Sequence, residues 1–199
     1  MMKDLEKLFR SELNSIYDGE RQLVEALNKL EQKAGSQELK TALKEHQLET
    51  REHVSRLKQV FGDLSETPKR KPCHGLTGII DEALMAAEDF KGHPVLDAAL
   101  VNAGQKAEHF EIATYGTLCS WADQLKYDSA AQFLKQTLSE EKNAEQKLRG
   151  LVDSTVESDG RPEFERDLKI LFLRQMRELY DAENLLAAAL PEVEFYAVS

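Results

Sequence analysis

The chain is poor in the residues that cross-link or interrupt a fold. Only two cysteines, Cys73 and Cys119, occur in 199 residues, and they stand far apart outside any Cys-x-x-Cys pair. Neither a disulfide framework nor a thiolate cage is indicated, and a reduced, cytoplasmic setting is expected. No apolar run approaches the roughly 20 residues of a membrane-spanning helix; stretches such as Leu185 to Leu190 are far shorter, and the charged start Met1-Met2-Lys3-Asp4 is no signal peptide. Cations are also in the minority, with 26 Lys and Arg against 36 Asp and Glu and a net charge of −10. With no basic run beyond Lys69-Arg70-Lys71, a surface that tracks nucleic-acid phosphates is excluded. Neither a membrane nor a nucleic acid is therefore expected as a partner. A chain of this size hides roughly 70% of the surface its unfolded form exposes, so it needs no staple to hold a core.

Proline is scarce as well. Pro68, Pro72, Pro94, Pro162 and Pro191 leave the stretches 1–67, 95–161 and 163–190 uninterrupted, and these are rich in Leu, Ala, Glu, Lys and Gln, the strong helix formers. Ala34-Gly35-Ser36 offers a helix stop followed by an N-cap, and Lys126-Tyr127-Asp128-Ser129 offers N-cap chemistry again. The spacing predicts helices over about 4–33, 37–61, 95–125 and 129–154, with a shorter one around 76–90 inside the connection Gly62 to His93. Two short-looped helical hairpins joined by one long crossover make an all-α, ferritin-like four-helix bundle.

A fifth helix, about 163–190, repeats the first. Segment 4–30 aligns without gaps on 167–193 with ten identities in 27 positions, including the block Tyr-Asp-x-Glu at 17–20 and 180–183. The domain reading is thus a bundle over 1–157 and an additional C-terminal helix over 158–199. The apolar residues Leu171, Leu179, Leu186 and Leu190 of that helix need cover, so it is expected to dock on its own bundle or on a partner subunit.

Acidic residues interrupt the apolar stripe of every bundle helix at mid-length. Glu20 falls between Ile16 and Leu23; His46 and Glu49 lie between Leu43 and Leu57; Glu108 and Glu111 lie between Val101 and Leu118; Glu141 and Glu145 lie between Leu138 and Leu148. With about 1.5 Å of rise per residue, the four carboxylates Glu20, Glu49, Glu108 and Glu141 come within a turn of one level. Buried together without a cation they would repel one another at a cost of several kcal/mol. No Lys or Arg occupies the central positions, whereas divalent metal ions take carboxylates with one or two imidazoles. His53, toward an edge, and His109, rotated about 100° from Glu108, are expected to lie outside the site. Gly19, Gly104 and Gly116 mark either close helix approach or room for a metal site.

The runs Tyr17-Asp18-Gly19-Glu20-Arg21-Gln22-Leu23, His46-Gln47-Leu48-Glu49-Thr50, Gln105 to Leu118 and Thr137-Leu138-Ser139-Glu140-Glu141-Lys142 resemble the YciE/YciF stress-response proteins of bacteria over about residues 4–152. The resemblance implies a dimeric, rubrerythrin-like bundle with two metal ions, iron first and manganese second. It implies Glu20, Glu49, Glu108 and Glu141 as the carboxylates, with His46, Glu111 and Glu145 completing the set. Tyr17 and Tyr115, a turn away, would be hydrogen-bond partners of ligands or ordinary core-edge residues. Two departures stand out: His46-x-x-Glu49 reverses the usual Glu-x-x-His order, and no cysteine-rich electron-delivery module follows. Two functions are open on these grounds. One is a di-iron protein reducing dioxygen or peroxide, or oxidising Fe(II). The other is a non-catalytic stress protein that acts through partners and holds metal structurally.

Overall fold

The computed structural model describes residues 2–156 and 162–197. Among them are six helices and no strand: α1 (Met2–Lys33), α2 (Gln37–Asp63), α3 (His74–Asp89), α4 (Leu96–Leu125), α5 (Asp128–Val156) and α6 (Pro162–Ala197). They divide into two compact units, α1 to α5 in one and α6 with His93–Val95 in the other. None of these helices is long and apolar enough to cross a membrane.

In the first unit α1 pairs with α2 and α4 with α5, while α2 also lies against α5 and α1 against α4. The four long helices thus close a ring, and α3, carried by the crossover, covers α1 and α4. The junctions follow from local chemistry. Ser36 caps α2, its Oγ accepting from the Leu39 amide at 3.2 Å. Asp97 in the first turn of α4 accepts from the Gly35 and Ser36 amides at 2.6 and 2.7 Å, which ties the α1–α2 turn to the start of the second hairpin. The turn between α4 and α5 holds Lys126 at φ 62°, and the Tyr127 amide reaches back to the Ala122 carbonyl at 3.0 Å. Gly19 has a packing reason: a Cβ there would meet Leu76 Cδ2 at 3.0 Å and Cys73 Sγ at 3.1 Å, so the glycine lets α3 lie close on α1.

One end of the bundle is filled by bulky side chains. Phe9, Leu13, Ile16, Leu57, Val60, Phe61, Tyr115, Leu118 and Leu134 are all at most 1% exposed. Burying each such side chain is worth about 1.5–3 kcal/mol, and this cluster is the mechanical anchor for whatever sits above it.

The fifth predicted helix differs from expectation in two respects. It runs through Pro191 to Ala197, because one proline removes a single helical hydrogen bond without ending the helix. It also leaves the repeated face exposed. In α1 Phe9, Leu13, Ile16, Glu20, Leu23 and Leu27 are buried, but their counterparts Phe172, Met176, Leu179, Glu183, Leu186 and Leu190 are exposed. Conversely, Leu8 is half-exposed while its counterpart Leu171 is buried.

Candidate metal centre

Above the bulky end, polar side chains replace apolar ones on all four long helices at one level. α1 supplies Glu20, α2 supplies His46 and His53, α4 supplies Glu108 and Glu111, and α5 supplies Glu141. They form two groups whose ligand-type atoms lie within 4.8 Å of one another: His46, Glu108, Glu111 and Glu141, and Glu20, His53 and Glu141. Glu141 belongs to both, so it stands between two adjacent positions.

Each imidazole has a carboxylate behind it and faces the interior with its other nitrogen, but only His53 is hydrogen-bonded to that carboxylate. His53 Nε2 lies 2.9 Å from Glu140 Oε2, and Arg56 grips both oxygens of Glu140 at 2.8 and 3.1 Å. That leaves His53 Nδ1 facing Glu141 at 2.9 Å and Glu20 at 3.7 Å. His46 presents Nε2 to Glu108 at 3.1 Å, while its Nδ1 lies 3.7 Å from Glu49, which in turn pairs with Lys147 at 3.4 Å. Backing of this kind fixes the ring orientation and tautomer of metal-binding histidines. Tyr115, completely buried, donates its hydroxyl to Glu20 Oε1.

The interior face of the cluster is not internally satisfied. Glu20 Oε2, both nitrogens of His46, His53 Nδ1, Glu108 Oε2, and both oxygens of Glu111 and Glu141 are buried without a hydrogen-bond partner. Buried polar atoms are rarely left this way, because each such atom costs about 1–3 kcal/mol. Here all of them except His46 Nδ1, which faces Glu49, converge on one place.

The electrostatics follow from that crowding. Burial pulls the His46 imidazolium down, but Glu108, Glu49 and Glu141 outweigh it and carry its pKa up to about 9. For His53 burial is again overcome, by Glu141 and Glu20, and the pKa rises to about 11. Burial together with Glu141 raises Glu108 to about 8 against the pull of His46. Glu111 is held well above the carboxylate range by burial and by Glu141, Glu20 and Glu108. Burial also raises Glu20, with His53 opposing it. All of these groups hold their protons more tightly than usual, the expected state of a cluster of acids with no cation among them.

The donor set suits two divalent ions. Four carboxylates, Glu20, Glu108, Glu111 and Glu141, balance two doubly charged cations, and two neutral imidazoles complete the set. All the donors are oxygen or imidazole nitrogen, the choice of iron and manganese rather than of a soft-metal cage. Cys73 and Cys119 are free and buried outside both groups.

Set against the sequence reading, Glu20, His46, Glu108, Glu111 and Glu141 come together. Glu49 does not join either group: it lies behind the His46 ring, with 37% of its side chain exposed. Glu145 is buried, yet it is bonded to Arg149 at 2.6 and 2.9 Å and lies outside both groups. His53, expected at an edge, is fully buried inside the second group. Its signal was present in the sequence: 46, 50, 53, 57 and 60 follow the alternating four-and-three step of an inward stripe, whereas Glu49 falls to one side. Thr50-x-x-His53 therefore occupies a Glu-x-x-His slot with threonine in place of the acid, and the Thr50 hydroxyl bonds to the His46 carbonyl at 2.8 Å. Glu140 and Arg56 gave no comparable signal, since their pairing spans 84 residues. Tyr17 packs edge-on against Phe61 at 6.0 Å, beside rather than in the cluster.

A crossover-linked helical bundle with paired histidines and carboxylates at its centre defines a ferritin-like class of architecture. Residues 4–160 match the family described as a domain of unknown function, DUF892. The protein YciF of Escherichia coli K12 is 41% identical over 156 residues, covering 78% of this chain and 94% of YciF. The crystal structure of that E. coli stress protein superposes with a TM-score of 0.74 at 40% identity, over 76% of this chain and 96% of YciF. YcfI from Rhodopseudomonas palustris, described as a proposed structural protein, superposes with a TM-score of 0.70 at 40% identity, over 73% of this chain and 92% of its own. The chain belongs to the DUF892 family, which includes YciF-like proteins.

Proposed function

We propose that the bundle holds two divalent transition-metal ions, iron first and manganese second, and that the protein serves a stress response by redox chemistry on dioxygen or peroxide. The observation that supports this reading best is the convergence of unpartnered buried atoms from Glu20, His46, His53, Glu108, Glu111 and Glu141 on one place between four helices. A pair of redox-active ions there supplies two adjacent one-electron changes.

The chain's own residues have distinct parts in this account. Glu141 serves both positions. His53 is the fixed donor of one, locked by Glu140 and Arg56, and His46 that of the other, with Glu49 behind it. Glu111, tied to no protein donor, is the carboxylate free to shift as charge at the centre changes. Tyr115 holds Glu20 in place through its hydroxyl, which donates to Glu20 Oε1.

The test is anaerobic loading with Fe(II), followed by mixing with dioxygen or hydrogen peroxide. The reading requires iron oxidation well above the rate in buffer and its loss in Glu141→Ala. Oxidation no faster than in buffer would contradict it.

A second reading, a partner-binding stress protein with a structural metal centre, draws on α6. Its exposed face repeats one that α1 buries among this chain's own helices, so a second copy of the chain is the natural cover. Truncation after residue 157 would then convert a homodimer to a monomer on a sizing column. An unchanged size would defeat the dimer.

A further inference from the structure

The two ends of the bundle are built differently. Below the acidic level the interior is filled by Phe, Leu, Ile and Tyr side chains. Beyond His46 and Glu108 an apolar cleft with an internal cavity volume of about 40 Å³ runs between the helices and opens at one side. Small residues make its room: Ala42 of α2, Ala103, Gly104 and Ala107 of α4, and Ala144 of α5. The glycine sets the width locally, since a Cβ at Gly104 would meet Leu148 Cδ1 at 3.0 Å. Leu27, Leu43 and Leu100 supply much of the remaining wall. The polar groups lie at its edges, His46 and Glu108 where it meets the candidate centre, and Glu49 and Lys147 on its exposed side.

We infer that this cleft admits a small neutral apolar molecule of the dioxygen class to the His46–Glu108 side of the centre, in preference to hydrogen peroxide. The reading of what the molecule meets on arrival rests on the proposed metal centre; occupancy of the cleft does not. Hydrogen peroxide carries two hydroxyl donors, and each hydrogen bond left unmade along an apolar wall costs about 1–3 kcal/mol. Dioxygen has none to lose. Enclosed apolar cavities in proteins stay dry and take xenon or benzene, so an apolar gas needs no specific donor to bind.

Xenon is the probe, used on the full chain, metal-free and metal-loaded, by ¹²⁹Xe NMR and by pressurising crystals. Xenon is expected among Leu27, Leu43 and Ala103 in both forms and absent in Ala103→Phe. The half-exposed Ala42→Phe provides a second variant that puts less strain on folding. In the iron-loaded protein it is expected to slow oxidation by dioxygen severalfold and to leave oxidation by hydrogen peroxide unchanged, at unaltered metal content. No xenon in the wild-type cleft overturns the inference, as does equal slowing with both oxidants. If the protein takes up no metal, the metal-centre reading fails, and the xenon result alone decides whether the cleft is a site for apolar molecules.

Discussion

Replacing Glu111 with methionine should strengthen the metal-free protein and destroy its capacity for metal. Glu111 is fully buried, and neither of its oxygens has a partner. Glu20 has Tyr115, Glu108 faces His46 and Glu141 faces His53, but Glu111 has no such contact. Even protonated, as its raised pKa implies, a carboxyl stranded this way costs about 1–3 kcal/mol. Glu111→Met replaces it with an apolar side chain of similar length and should recover about that much. For a domain of this size each kcal/mol moves the melting point by about 2–4 °C, so a rise of several degrees is expected in chelator. The wild type, by contrast, should gain about 2.7 kcal/mol from a metal held at a hundredfold excess over its dissociation constant, and the variant should not. Differential scanning calorimetry with and without Mn(II) reads both effects. A less stable metal-free variant, or an undiminished shift on adding metal, would refute the reasoning.

Two further outcomes follow from the same groups. In metal-free protein Glu108 titrates at about 8 against an ordinary 4.5, and His46 at about 9 against 6.5. Both bind protons more tightly folded than unfolded, so their stabilisation is complete below the unfolded values. It is lost as pH rises through the folded ones, at about 1.4 kcal/mol per pH unit for each proton retained. Melting in chelator should therefore fall from about pH 5 to pH 9, and excess Mn(II) should flatten or invert that slope; a metal-free protein that gains stability over this range would contradict the assignment. Separately, Glu140→Gln should loosen His53 and weaken metal affinity by about 10–100-fold while the helix content stays unchanged. Competition with a chromophoric chelator measures this, and wild-type affinity would remove Glu140 from its positioning role.

The helices were legible because the sequence punctuates them cleanly. Ser36 caps α2 and Lys126 ends α4 at a positive φ, local devices that act within a few residues of the junctions read from Gly35-Ser36 and Lys126-Tyr127-Asp128. Pro191 misled as a terminus, since a helix tolerates one missing bond. Glu20, Glu108 and Glu141 were visible as acids inside apolar stripes. The exchange of Glu49 for His53 was legible only by following the stripe as far as Leu57 and Val60, because on α2 a step of three and a step of four both begin from His46 and diverge in direction. The backing of His53 by Glu140 and Arg56 joins residues distant in the chain, which no local pattern encodes. Nor does the repeat reveal burial: α6 copies the residues of α1, yet the face that α1 buries is exposed on α6, and residues 181–191 are exposed on every side. Sequence identity conserves a face, but packing decides whether it is buried.

The central claim is the metal centre itself, and elemental analysis tests it most directly. Protein produced in iron-supplemented medium should carry about two iron or manganese atoms per chain, and a Glu108→Ala/Glu141→Ala double variant should carry none while remaining folded. Metal-free wild-type protein under the same conditions, or equal metal in the double variant, would contradict the account.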